Sequence, residues 1–171
     1  MGNTEESLPC EFKENLAILR EIPFFSELPL DALKVLAYLC VREKFKAGDC
    51  LFQQKDDDGR AFYIIAGTAR LQRQDGEIRW ELRDVVPGVF LGGLVLLGKA
   101  RRLFSLMAVS EMHCLVISRE KVAKVIEQFP EIMPRILKAV LESVNGWEKR
   151  FLAGSDSSCR NCMEKIGVSL V

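Results

Sequence analysis

The chain has 171 residues, of which 49% are hydrophobic and 28% are charged, and its 24 Lys and Arg residues balance 24 Asp and Glu residues. This length favours one domain of roughly 100–150 residues with an appendage, and the composition supplies a hydrophobic core. A formal net charge of zero argues against a nucleic-acid-binding protein that depends on neutralising phosphates. The acidic N-terminus is not a signal peptide, and no segment approaches the ~20 apolar residues of a membrane span, so we expect a cytoplasmic protein.

Two helical patterns come first in the chain. Residues 11–20 repeat apolar side chains at helical spacing, and Pro23 stops that helix. Residues 29–39 repeat the pattern. Residues 1–10 precede both and are expected to be flexible.

From residue 41 the period changes to that of short strands, each ended by a turn signal. The predicted strands cover residues 41–45, 50–54, 61–65, 68–72, 78–85, 103–109 and 113–117. Asp56, Asp57 and Asp58 fall between two of them without the alternating ligands of a calcium loop. We expect this acidic run to be a solvated hairpin tip.

Two helices are predicted to close the domain. Ser118 is a candidate N-cap for a helix over residues 119–128, and Pro130 opens a longer helix that runs to about Leu152. Residues 153–171 are expected to form a tail.

The longer helix carries two apolar faces. One follows the 4-3-4-3-4 spacing of a heptad seam through Met133, Leu137, Val140, Val144, Trp147 and Phe151. The other consists of Ile132, Ile136 and Leu141, which are expected to lie on the β-strands. Two separate faces predict a homodimer formed through the seam; the alternative is that the seam is intramolecular core.

Residues with catalytic or metal-binding chemistry are few. Cys40 and Cys114 lie in apolar runs and are expected to be buried, while Cys159 and Cys162 form a lone CxxC that supplies too few ligands for zinc. His113 is the one histidine and is expected to have a structural role. Without a nucleophile–base set or a metal cluster, the sequence predicts neither an enzyme nor a metal site.

The segment between the fifth strand and residue 105 has the features of a small anion site. A turn and a glycine pair lead into a short apolar helical turn, and arginine precedes the next strand. Glycine permits close approach of a ligand to the backbone, and a guanidinium can hold two phosphate oxygens. Strand alternation predicts that Arg102 and Phe104 share one face. Alternatively, Arg102 is solvated or paired with a carboxylate. The candidate ligand-binding residues are Gly92, Gly93, Leu94, Arg102, Leu103, Phe104 and Ser105.

Four motifs in this order resemble the cyclic-nucleotide-binding domain of catabolite activator protein, protein kinase A regulatory subunits and cyclic-nucleotide-gated channels. They are Ile22-Pro23-Phe24-Phe25-Ser26, Phe45-x-x-Gly48-Asp49-x-Leu51-Phe52, Phe62-Tyr63-Ile64-Ile65-x-Gly67 and Pro87-Gly88-x-Phe90-x-Gly92. The resemblance implies a mainly β fold within residues 11–152. That fold is an eight-stranded, jelly-roll-like β-roll with N-terminal helices and two C-terminal helices.

The resemblance also implies roles for the candidate residues. Gly92 falls on the family's cassette glycine, Arg102 on its phosphate-binding arginine and Ser105 on its hydroxyl position. Two positions depart from the pattern, because Gly93 replaces the ribose-binding glutamate and Phe104 replaces a small alanine. Loss of one charge-assisted hydrogen bond would weaken binding about ten- to a hundredfold.

The expected function is therefore that of a regulatory sensor with weakened or altered specificity for cyclic AMP, cyclic GMP or another small anion. The alternative is a ligand-independent dimerisation or protein-interaction module, whose protein partner the sequence does not identify. Only 19 residues follow Leu152, too few for the helix-turn-helix of ~60 residues that a DNA-binding relative carries, so direct contact with nucleic acid is not expected, nor is a membrane contact.

Overall fold

Eight short strands build two antiparallel sheets in the computed structural model, which describes residues 7–154. The strands are β1 (Val41–Phe45), β2 (Cys50–Phe52), β3 (Arg60–Ala66), β4 (Ala69–Asp75), β5 (Ile78–Val85), β6 (Phe90–Leu91), β7 (Ser105–Ala108) and β8 (Met112–Ser118). The first sheet has the order β1-β8-β3-β6 and the second the order β2-β7-β4-β5. This arrangement confirms the predicted eight-stranded roll. The strand pattern missed β6 because two residues are too few to show alternation.

The two sheets enclose the first of two hydrophobic clusters. Side chains of β3 alternate, so that Phe62 and Ile64 point between the sheets while Ala61 and Tyr63 point outward. Strand β8 alternates in the same way, with Cys114 inside and Leu115 outside. Both strands are consequently buried on both faces, which fixes their register with Phe62 opposite Val116.

The second cluster lies between the outer face of the first sheet and four helices. These are α1 (Ser7–Glu21), α2 (Leu30–Leu39), α3 (Arg119–Gln128) and α4 (Ile132–Gly154). Helix α1 begins four residues before its predicted start. Ser118 occupies the N-cap position of α3, although its hydroxyl makes no capping hydrogen bond there.

Helix α4 uses its apolar faces differently from the prediction. Ile132 and Ile136 are fully buried in the second cluster, as expected for residues one turn apart. Leu141 is 52% exposed, so its placement on the strands was wrong. Five residues beyond Ile136, a helical position has turned by about 140°, away from the buried face.

The predicted seam on α4 is divided. Val140 and Val144 are half-buried and face the body of the domain across a cavity. Met133, Leu137 and Trp147 are exposed. Trp147 also stacks on Phe151, one turn further along, with ring centroids 5.5 Å apart. The exposed residues of the seam thus form an apolar surface on α4, while Val140 and Val144, in its middle, face the domain's own cavity.

Gly67 joins β3 to β4 at a point where other residues do not fit. Its φ is +87°, and a Cβ atom added there would lie 2.2 Å from the carbonyl oxygen of Glu111. The glycine in the third sequence motif is therefore required by the turn between two core strands.

The burial of α4 residues gives a direct test of how the helix docks. Ile136→Ala is expected to lower the free energy of unfolding by about 2–5 kcal/mol, because it removes buried methyl groups and leaves a cavity. Leu141→Ala is the matched control and should change it by less than about 0.5 kcal/mol. Denaturant unfolding of both variants makes the comparison, and an equal loss in the two would contradict the observed orientation of α4.

Candidate functional site

The candidate anion-binding segment, here called the cassette (residues 92–105), connects β6 to β7. It begins at Gly92, whose φ of +87° places it in the left-handed region. A 3₁₀ turn follows over Gly93–Leu96. A Cβ atom at Gly92 would lie 2.6 Å from Nη1 of Arg102, so only glycine lets this guanidinium reach the start of the cassette.

Arg102 is held inside the fold by a carboxylate. Its Nε donates to Oδ1 of Asp58 at 2.8 Å and its Nη2 donates to Oδ2 at 3.0 Å, which is a bidentate pair. The Arg102 side chain is only 5% exposed. Nη2 also donates to the carbonyl oxygen of Arg60, and the guanidinium carbon lies 3.9 Å from the ring centroid of Phe52. Of the alternatives left open by the sequence, the structure shows pairing with a carboxylate.

The loop that supplies Asp58, here called the acidic loop (residues 53–59), also binds the cassette through its backbone. The N–H of Lys55 donates to the carbonyl oxygen of Arg102 at 2.8 Å, and the N–H of Arg102 donates to that of Asp56 at 2.8 Å. Two backbone bonds and one bidentate pair thus converge on a single cassette residue. The expectation of a solvated hairpin tip was wrong for Asp57 and Asp58, because both carboxylates bind arginine.

A second arginine connects the acidic loop and the cassette to α3. Arg119 ion-pairs with Asp57 and donates from Nε to the carbonyl oxygen of Val95 at 2.6 Å. Its backbone N–H donates to the carbonyl oxygen of Gly59 at 2.7 Å. The hydrogen bond from Arg119 holds the pKa of the Asp57 carboxyl below its usual value. The first residue of α3 is therefore bound to both segments that surround Arg102.

The remaining cassette residues precede β7, which begins at Ser105 and not at the predicted residue 103, so strand alternation does not place residues 102–104. Phe104 joins Arg102 on the inner face, where its ring centroid lies 5.9 Å from that of Phe52. Leu103 points to solvent. The Ser105 hydroxyl, at the start of β7, accepts a hydrogen bond from the N–H of Gln54 at 2.9 Å. Phe104 and Arg102 thus share the inner face, and the hydroxyl at 105 already has a backbone partner.

Gly93, which stands where a carboxylate would be expected, faces a different space from Arg102. A Cβ atom there would lie 3.1 Å from the rings of both Phe24 and Phe90. These rings border a cavity of about 540 Å³ on the helical side of the first sheet. Leu94 also lines it. Arg102 does not line this cavity, so the structure separates the two ends of the predicted site.

The cavity has a largely apolar wall with a few polar groups. Burial and the negative charge of Glu21 both raise the pKa of the Tyr63 phenol at its edge. The lining residues are Glu21, Ile22, Pro23, Phe24, Tyr63, Gly88, Phe90, Gly93, Leu94, Ala139, Val140, Ser143 and Val144. It lies between the cassette and α4.

Other candidate chemistry is limited within residues 7–154. Burial raises the pKa of the Cys40 thiol to about 12 and that of Cys114 to about 11, so both are buried structural cysteines, as predicted. In that part of the chain no three His, Cys, Asp or Glu side chains are grouped to hold a metal ion. None of the helices described there combines the length and apolar character of a membrane span. The CxxC at Cys159 and Cys162 lies outside the described residues.

Asp58 is the site residue that the sequence interpretation missed. It is 44 positions from Arg102 in sequence and occurs in a run of three aspartates that is typical of a solvated loop. The one local indication of its role was that the three aspartates come directly before β3, a buried strand. Which of the three carboxylates meets the arginine depends on how β3 and the cassette pack.

The Asp58–Arg102 pair gives a stability prediction. Asp58→Ala leaves a buried guanidinium without its carboxylate and is expected to cost about 3 kcal/mol of unfolding free energy. Asp56→Ala is the control, since its exposed side chain makes no hydrogen bond in the described part of the chain, and it should cost less than about 0.5 kcal/mol. Denaturant unfolding measures both, and a loss below about 1 kcal/mol for Asp58→Ala would show that the pair does not hold the cassette.

Comparison with solved structures finds the same fold in several proteins. A cyclic nucleotide-binding-like protein from Brucella abortus is 29% identical, with a TM-score of 0.62 over 67% of this chain and 98% of that one. The N-terminal domain of a transcriptional regulator from Streptomyces coelicolor is 24% identical, with a TM-score of 0.68 over 82% and 99% of the two chains. The cAMP-bound regulatory domain of Toxoplasma gondii protein kinase A is 21% identical, with a TM-score of 0.65 over 90% of this chain and 56% of that one.

The family model described as "Cyclic nucleotide-binding domain" matches residues 42–129. This match contains the roll from β1 through β8, the acidic loop, the cassette and α3. The sequence resemblance is thereby confirmed: this chain belongs to the cyclic nucleotide-binding domain family.

Proposed function

We propose that this protein is a regulatory sensor that binds a small phosphodiester anion, cyclic AMP or cyclic GMP, at Arg102, with an affinity well below that of a complete cassette. The observation that carries this proposal is the unpaired Nη1 of Arg102. It makes no hydrogen bond to any residue between 7 and 154, and it lies against Gly92. Nη1 carries two N–H donors and lies beside Gly92, where the cassette backbone turns.

Competition with Asp58 explains the weak binding. A guanidinium has five N–H donors, and Asp58 and the Arg60 carbonyl occupy only those of Nε and Nη2. A phosphate at Nη1 would share the arginine with a carboxylate, and like charges at one cation repel each other. Gly93 supplies no carboxylate to a ribose hydroxyl, which removes a further favourable contact.

The contacts around Arg102 provide a route for regulation. A ligand that loosens Asp58 from Arg102 would disturb the acidic loop, and that loop binds α3 through Asp57 and Arg119. Only a difference in ligand affinity between the two arrangements can shift their populations. In this proposal the protein regulates through ligand binding and not through catalysis, in keeping with a family of ligand-binding domains.

Calorimetric titration with cyclic AMP and with cyclic GMP tests the proposal. The wild-type chain should bind one of them weakly, and Arg102→Gln should abolish binding because the phosphate loses its donor. Arg101→Gln is the control, since that neighbouring side chain is exposed, and it should reduce affinity by less than about threefold through lost long-range attraction. Absence of binding to the wild-type chain at millimolar ligand would refute the sensor.

A ligand-independent interaction module is the second candidate function. It is favoured by the filled interior of the roll, where Phe52 packs against Phe62, Phe104 and the guanidinium of Arg102. In this version the domain associates as a homodimer through the exposed part of the α4 seam, centred on Leu137.

Light scattering with seam variants tests the dimer. Leu137→Glu would place a charge at the centre of the proposed interface and should shift the dimer to monomer, with at least a tenfold fall in the association constant, because a buried unpaired charge is costly. Lys124→Glu, at an exposed position on α3 away from the seam, is a charge-changing control that should leave the mass unchanged. A wild-type chain that stays monomeric would contradict the seam dimer.

A further inference from the structure

Strand β5 has an unusual surface for the edge of a sheet. It is the last strand of the second sheet, pairing with β4 on one side, and no other strand in the described range lies on its opposite side. Three large apolar side chains alternate along it, with Ile78 59%, Trp80 43% and Leu82 50% exposed. Long edge strands with exposed apolar residues pair readily with another strand.

The charges on β5 specify what that other strand would be. Arg79 and Glu81 alternate with the apolar residues, Glu77 precedes them and Arg83 follows. If two copies of β5 pair antiparallel about a twofold axis at Trp80, Arg79 lies opposite Glu81 of the second copy. The same axis places Ile78 opposite Leu82, where the bulge of β5 ends the pairing.

Registers centred on the other residues of β5 lose part of this match. An axis at Arg79 places two Arg79 residues opposite each other and Glu77 opposite Glu81, and an axis at Glu81 places two Glu81 residues opposite each other. An axis at Ile78 pairs Glu77 with Arg79 but places Trp80 opposite Gly76, and an axis at Leu82 falls on the bulge. Like charges directly opposite each other destabilise a strand pair, and opposite charges stabilise it. A twofold axis perpendicular to the sheet keeps the same face of both copies on the same side of the joined sheet. Residues opposite each other must then point to the same face, so the axis passes at a residue and not between two residues.

The residues that would pair across this axis are largely unused in the monomer. Arg79 has no ion-pair partner among residues 7–154. Glu81 binds Arg70 through Oε2, and Arg70 is also held by both oxygens of Asp84. Glu81 therefore keeps Oε1 for a second cation. The register shift between Leu71 and Gln72 marks a bulge at Leu82, which ends the regular edge there.

We propose that a second copy of this chain pairs with β5 along residues 78–82, which joins the second sheets of the two copies into one eight-stranded sheet. The apolar face of the new strand pair carries Ile78, Trp80 and Leu82 of both copies. The opposite face carries two Arg79–Glu81 pairs. None of these residues lines the cavity beside α4, and the surface is independent of the ligand proposal.

A charge-exchange cycle on the full chain tests this interface by sedimentation velocity over a range of protein concentrations. Arg79→Glu places Glu opposite Glu81 at two symmetric positions and should lower the association constant about tenfold. Glu81→Arg places Arg opposite Arg79 and should act similarly. The double variant Arg79→Glu/Glu81→Arg restores both opposite-charge pairs and should associate within about threefold of the starting chain.

The cycle is measured in the wild-type chain and again in Leu137→Glu, so that association through α4 does not mask the result. Lys44→Glu is the control for charge, because Lys44 is an exposed residue of β1 in the first sheet, away from the β5 edge. Thermal unfolding of each variant at low concentration confirms that it folds. Absence of self-association in both backgrounds, or a double variant as impaired as the single ones, would overturn the proposal.

Discussion

The contact on which the cassette depends is the buried pair between Asp58 and Arg102. The cassette has little regular hydrogen bonding of its own beyond one 3₁₀ turn, and it crosses from the first sheet to the second. A guanidinium that is 5% exposed requires an acceptor at short range, because burial without a partner costs several kcal/mol. Asp58 and two backbone hydrogen bonds meet this requirement, so the acidic loop and the cassette form one unit.

This arrangement connects stability to ligand binding. In the proposed sensor, the carboxylate that stabilises Arg102 would compete with a bound anion for it, so a firmly held cassette and a strong phosphate site would be opposed. Arg119 extends the unit to α3 by binding Asp57 and the carbonyl oxygen of Val95. A change at Arg102 can therefore reach α3 through the contacts of Asp58, Asp57 and Arg119.

The placement of the helices determines which surfaces remain for partners. All four helices contribute to or pack against the cluster on the first sheet, so the second sheet keeps an open edge at β5. On α4, Ile132 and Ile136 are used for docking, which leaves Leu137 and Trp147 exposed. Both exposed surfaces are apolar and are bordered by charged residues, and these are the surfaces on which the two proposed self-association interfaces rest.

The sequence by itself determined the β-roll and its order of helices and strands, because these follow from alternation, turn residues and motifs a few positions apart. It did not reveal that β6 is a strand, that Leu141 faces solvent or that Asp58 binds Arg102. Those features depend on pairing with β3, on the rotation at which α4 docks and on a contact across 44 residues. Local patterns specify which face of an element is apolar, whereas the tertiary structure alone decides which charged groups meet across the folded chain, since that depends on the packing of segments distant in sequence.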